Sequence, residues 1–150
     1  MKVWRIASAR YPKLDGEGAR VWGGRWNSPG RPVVYTASTA SLAVLETLVW
    51  LDPEDVPADL ILYEITLPES VTPAHLRPAD LPEGWAVTGS PACIEAGDRW
   101  LTAGTSAALA VPSAILPEES NVLLNPRHPD ARRARVRARR PFSFDVRLIK

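Results

Sequence analysis

A chain of 150 residues in which short β-branched or aromatic runs alternate with apolar helical stretches predicts a single α/β (α+β) domain, strands flanked by helices. Three stretches carry that expectation. PVVYTA runs straight into the apolar helical segment TASLAVLE, LILYEITL has the composition of a strand, and SPACIEAGDRWLT opens with a cap residue followed by a first-turn proline. The hydrophobic fraction of 45% and charged fraction of 23% are those of an ordinary globular chain.

Taken in order, residues 2–7 (KVWRIA) read as the first strand, with Val3, Arg5 and Ala7 on one side and Trp4 and Ile6 on the other. Arg5 is then a cation in a core-like strand. Either its stem packs while its head reaches water, or it meets an anionic ligand. Residues 11–20 are polar and contain glycine, and read as a loop. Gly23 and Gly24 permit a sharp bend just before Arg25, and Asn27, Ser28, Pro29 and Gly30 are turn residues. The strand at 32–37 follows, Ser38 or Thr39 caps the next helix, and that helix is expected over about 39–51.

A proline-marked turn at 52–59 leads to a strand at 60–67. Residues 68–91 are studded with Pro68, Pro73, Pro78, Pro82 and Pro91 and read as a surface excursion without regular structure, in which His75 is an exposed surface histidine. Ser90 and Pro91 start a helix over 92–102. The short strand 106–111 (SAALAV) delivers Pro112 and Ser113 to its end, where loops on a rigid scaffold commonly carry function. In EESNVLLNPRHP (118–129), Asn121 and Asn125 lie near turns and are expected to bond their own backbone. The final 20 residues alternate, Arg135, Arg137 and Arg139 against Val136 and Ala138, then Phe142, Phe144, Val146 and Leu148 pointing inward. That is the period of a half-buried strand, interrupted by Pro141.

No apolar run approaches the roughly 18 residues of a membrane helix, and the N-terminus lacks a signal-peptide core, so a soluble cytoplasmic protein is expected. Cys93 is the only cysteine, and His75 and His128 are the only histidines, which argues against a disulfide, a CxxC site or a zinc centre. Six tryptophans are compatible with an exposed apolar surface and leave a homodimer open. The net charge of +1 conceals an asymmetry: residues 1–126 balance to −6, residues 127–150 to +7. The basic end suits an acidic partner, nucleic acid or the acidic body of the chain itself.

Glu46 is the sharpest candidate. It is the only charged side chain between Arg31 and Asp52, on a helix so apolar that burial is expected, and it shares a face with Leu42, Val49 and Trp50. A carboxylate so placed needs a cation or hydrogen-bond donors, and Arg25 and the Tyr35 hydroxyl are the nearest in sequence. The bland alternative is a buried Glu46–Arg25 ion pair, with Tyr35 a core aromatic and Ser113 a turn residue. No GxGxxG, GxxxxGK[ST] or GxSxG motif competes.

Arg25 in GGRWNSPG, Tyr35 in VVYTA, Glu46 in SLAVLE, Ser113 in VPSA and the segment ESNVLLNPRHP together resemble the RES domain, the toxin half of bacterial Xre-RES toxin–antitoxin pairs. The resemblance runs from Trp4 and Arg5 to about Pro129 as one domain, with 130–150 a variable basic strand or tail. The arginine, glutamate and serine of the family's name match Arg25 or Arg5, Glu46 and Ser113.

The resemblance implies a fold similar to the ADP-ribosyltransferase toxins, with central mixed or antiparallel strands. It implies NAD+ as substrate with no other cofactor and no metal, cleavage of the nicotinamide–ribose bond by hydrolysis or phosphorolysis, or transfer of ADP-ribose to a protein. It also implies restraint by an Xre-type helix-turn-helix antitoxin, with no membrane and no direct nucleic-acid contact. Arg25, Tyr35, Glu46 and Ser113 become the catalytic candidates; Arg5, Trp26, Asn27 and Asn121 the substrate-binding ones. Two other classes stay open: a nucleic-acid binder using Arg132 to Arg140, and a non-catalytic ADP-ribose binder.

Overall fold

Seven strands pair into one sheet in a computed structural model that describes all 150 residues. They are β1 (Lys2–Ser8), β2 (Val34–Ala37), β3 (Leu60–Thr66), β4 (Ala74–His75), β5 (Ala108–Pro112), β6 (Ser120–Leu124) and β7 (Arg135–Pro141). Their order across the sheet is β4-β5-β6-β2-β1-β3-β7. β4 and β5 run parallel and every other neighbouring pair is antiparallel, giving a mixed sheet. The helices are α1 (Glu17–Trp22), α2 (Ala40–Leu48) and α3 (Pro91–Ala103).

The alternation expected in β1 sorts the molecule into two layers. Trp4 pairs with Ala37, and Trp4, Ile6 and Ala37 pack under Leu42 and Ala43 of α2. On the same face Tyr35, Leu123 and Leu109 align across β2, β6 and β5, beneath Cys93 and Trp100 of α3 and the ring of Trp26. The opposite face buries Val3, Val34, Ile65, Val122 and Leu124 against Leu67, Val71 and Ala134. Val3 and Ile65 are fully enclosed, worth about 2 kcal/mol each in apolar area removed from water.

Several expectations are corrected. Residues 11–20 are not wholly loop: Asp15 Oδ1 accepts from the Glu17 amide and starts α1, whose only ion pair is Arg20 with Glu17. α2 ends at Leu48, three residues early, so that Val49 and Trp50, 56% and 70% exposed, lie beyond it, and the helix itself is not buried all round. Leu42 and Ala43 face the sheet and the other α2 residues are half-buried or exposed. Thr39 does cap it, its hydroxyl accepting from the Leu42 amide at 3.1 Å. Residues 68–91 do contain β4, in which His75 is exposed. Ser90 is the residue before α3 but makes no side-chain cap.

The C-terminal segment differs most. β7 is an edge strand with all seven residues exposed, because nothing packs over either of its faces. Beyond it Phe144 is buried, whereas Val146 and Leu148 are 76% and 47% exposed in a single 3-10 turn, not inward on a strand.

Candidate active site

α2 brings Glu46 over the end of the sheet where β5 stops and β6 begins. Ser113 follows directly after β5 and is fully buried; its hydroxyl donates to Glu46 Oε1 at 2.7 Å. Asn121, aligned between Ala37 and Val111 in the sheet, donates its Nδ2 to the same oxygen at 2.7 Å. Glu46 Oε2 makes no hydrogen bond within the chain. The carboxylate is therefore fixed by one oxygen and presents the other.

The Ser113 hydroxyl has no freedom left. It accepts from the Ile115 and Leu116 amides, each at 3.1 Å, so both lone pairs are used and its one proton points at Glu46. Asn121 does not bond its own backbone, as turn asparagines do; Asn125 does, its Oδ1 accepting from the Arg127 amide at 3.1 Å.

Arg25 and Tyr35 do not meet Glu46. No ion pair joins Arg25 to any carboxylate, and its single hydrogen bond goes from NH1 to the Val87 carbonyl at 3.0 Å. The buried Glu46–Arg25 pair is thereby excluded. The Tyr35 hydroxyl donates to Asn27 Oδ1 at 2.6 Å and accepts from the Trp26 amide at 3.0 Å. Burial holds its phenol well above the ordinary tyrosine range, against the opposing pull of the Trp26 amide and the nearby Arg25 charge.

The loop that carries Arg25 is built from below. Asn27 is 1% exposed and its Nδ2 donates to the carbonyls of Ala19, Ser28 and Arg31 at 2.9, 3.1 and 3.0 Å. The Ala19 carbonyl, which also accepts from the Gly23 amide at the end of α1, ties the loop to that helix, so the helix that reads as loop in the sequence is an anchor of the site. Asp98 of α3 accepts from the Ser28 amide and hydroxyl at 3.1 and 2.6 Å. Gly24 and Gly97 make the approach close enough: a Cβ on Gly24 would lie 2.6 Å from the Tyr35 hydroxyl, and one on Gly97 would lie 1.6 Å from the Trp26 carbonyl oxygen. Asp98 and Gly97 went unread in the sequence, although a glycine inside an otherwise helical run is a signal of close packing.

Trp26 and Asn27 are thus inside the scaffold, Trp26 also 1% exposed with its ring 6.5 Å from that of Trp85. Arg5 stands on the other face of β1 from Trp4, opposite Tyr63, with its guanidinium carbon 5.9 Å from that ring. It reaches the Tyr11 and Lys13 carbonyls at 3.5 Å, and burial lowers its pKa from the usual arginine value. The structure therefore gathers Glu46, Ser113 and Asn121 into one cluster, and Arg25, Trp26, Asn27 and Tyr35 into a second on the same side of the sheet. Arg5 belongs to neither.

Comparison with known proteins agrees with this architecture. A chain of the M. tuberculosis MbcT–MbcA toxin–antitoxin complex superposes with a TM-score of 0.79 over 95% of this chain and 84% of that one, at 20% identity, a likeness of fold. A Prs ADP-ribosylating toxin of Sphingobium sp. is 42% identical, covering 98% of this chain and 96% of the relative. A protein named Toxin Res from Pseudomonas putida is 43% identical over 99% of this chain and all of the relative. With the RES domain model matching residues 2–145 as well, the chain belongs to the RES domain family.

Proposed function

We propose that this chain is the toxin of a toxin–antitoxin pair and consumes NAD+ by breaking the bond between nicotinamide and ribose. The observation that carries the reading is the half-clamped carboxylate of Glu46, one oxygen held by Ser113 and Asn121 and the other free. The names of its close relatives, Toxin Res and Prs ADP-ribosylating toxin, support it.

When the C1′–N bond breaks, its electron pair leaves with nicotinamide and positive charge develops on the ribose. A preoriented carboxylate stabilises that charge more than it stabilises the ground state. Glu46 Oε2 serves by accepting a ribose hydroxyl and facing the oxocarbenium-like centre, as carboxylates do in glycoside cleavage. Ser113 and Asn121 act through Glu46 as positioning residues. Arg25, with no carboxylate partner, takes pyrophosphate oxygens. Tyr35 offers its half-buried ring to nicotinamide while its hydroxyl holds the Arg25 loop. Trp26 and Asn27 keep that loop in shape, and Arg5 braces residues 11–13 on the far side. Water, phosphate or a protein side chain then attacks C1′, and an Xre-type antitoxin restrains the reaction.

The test is nicotinamide release from NAD+ by purified, antitoxin-free protein, with and without phosphate, beside Glu46→Gln. Release by the wild type alone supports the reading, and dependence on phosphate assigns phosphorolysis over hydrolysis. Absence of release in both buffers and with a cell-extract acceptor overturns it in favour of a non-catalytic ADP-ribose binder.

A further inference from the structure

The exposed edge of the sheet at β7 is separate from the Glu46 site, which lies where α2 meets the ends of β5 and β6, with β2, β1 and β3 between. We propose that β7 is a docking edge for an extended acidic polypeptide segment, which adds to the sheet as an eighth strand.

β7 is paired to β3 on one side only, so its outer row of backbone N–H and C=O groups is open. An open edge is a template for another chain. Its side chains specify which one. Of the arginines from 132 to 140, only Arg133 has a carboxylate within ion-pair distance, Asp130 at 3.9 Å. Arg137 and Arg139 have no hydrogen-bond partner in the chain, and Arg140 reaches only the Pro141 carbonyl, at 3.2 Å, and the Phe142 ring. So many unneutralised guanidinium groups on one strand repel each other and favour an anionic neighbour.

The inner flank leaves the arginines uncovered. Arg139 pairs with Tyr63, which pairs with Arg5, so two arginines flank one aromatic in a single row across three strands. Two adjoining recesses of about 390 and 430 Å³ run along this flank and share Pro12, Tyr63 and Arg139, one ending at Pro141 and the other at Val136. Together they border most of the strand on its β3 side, so the arginine side chains of β7 stand in open space there and are not tied down by the rest of the chain. A second copy of this chain is disfavoured there, because edge-to-edge pairing would set one arginine row against another. Nucleic acid would meet the charge but could not use the open ladder.

The test uses the full-length protein and a fluorescently labelled peptide of alternating glutamate and valine, read by anisotropy at low and moderate salt. The same peptide N-methylated at alternate residues keeps the charge but loses the ladder, and an oligothymidylate of equal charge supplies the polyanion. Binding should weaken by roughly tenfold or more on N-methylation and again in Arg137→Glu/Arg139→Glu, and remain unchanged in Arg147→Glu. Arg137 and Arg139 are exposed, so circular dichroism should show that variant folded, and Arg137→Gln/Arg139→Gln should give an intermediate loss. Equal binding of the methylated peptide, tighter binding of the oligothymidylate, or no peptide binding at low salt each overturns the proposal, the last leaving the arginines as guards of the edge against self-association.

Discussion

Glu46 and Arg25 are held by opposite means. Glu46 is fixed at its functional group: two side chains from the sheet end grip one carboxylate oxygen, while the α2 backbone around it is only half-buried. Arg25 is fixed at its backbone: Asn27, Tyr35, Asp98 and Gly97 lock the loop on both sides, while its guanidinium has a single carbonyl for company. The difference fits the tasks proposed for them. Stabilising charge at one atom demands a preorganised oxygen, whereas gripping a flexible pyrophosphate tolerates a mobile tip on a rigid base.

Substitutions can break that contrast, and the largest effect belongs to Glu46. Glu46→Gln keeps an acceptor for Ser113 and Asn121 but removes the charge, so nicotinamide release should fall by about two to three orders of magnitude with the thermal midpoint nearly unchanged. A variant that stays toxic in cells would falsify the role assigned to this carboxylate. On the Arg25 side the largest effect should come from packing. Gly97→Ala forces the Trp26 carbonyl away from α3 and should cost about 3 kcal/mol in denaturant unfolding; a neutral result would mean the loop yields freely.

Ser113→Ala leaves the Ile115 and Leu116 amides and Glu46 without their shared partner. A loss of about 2 kcal/mol is expected, with kcat falling more than KM rises; the reverse split would make Ser113 a substrate contact. Arg25→Lys should raise KM for NAD+ about tenfold with kcat little changed, because an ammonium cannot reproduce a bidentate fork; an unchanged KM would remove the pyrophosphate from its list of contacts.

The smallest effect is one of pH. The Tyr35 pKa is raised in the folded chain above the usual value near 10, so its neutral form contributes stability that is fully present below pH ~10. That contribution declines as alkali ionises the tyrosine of the unfolded chain first. Tyr35→Phe should cost about 1 kcal/mol at neutral pH and show a flatter loss of stability above pH ~10, and parallel curves would rule out Tyr35 as the source of that slope.

The sequence made the frame legible and the partnerships much less so. β1, β3 and α3 were readable because each carries a local signal: the alternation of Trp4 and Ile6 against Val3, the β-branched and aromatic run of residues 60–67, and Ser90 and Pro91 at the start of α3. Glu46 could be singled out because a lone charge on an apolar helix is conspicuous in one dimension. Its partners lie 67 and 75 residues away and meet it only because β6 is inserted between β5 and β2, a fact of sheet order that no local pattern encodes. β6 itself was hidden by Asn121, a poor strand residue retained where a side-chain donor is needed. β7 shows the converse error. Its alternation is real, but a period of two reports strand geometry and not whether anything covers the strand.

The contact between Gly97 and Trp26 leaves no slack between α3 and the Arg25 loop, so the two behave as one rigid lever. Pressing that helix toward the sheet, by even a fraction of an ångström, would drive the Trp26 carbonyl ahead of it and reset how far Arg25 stands from Glu46.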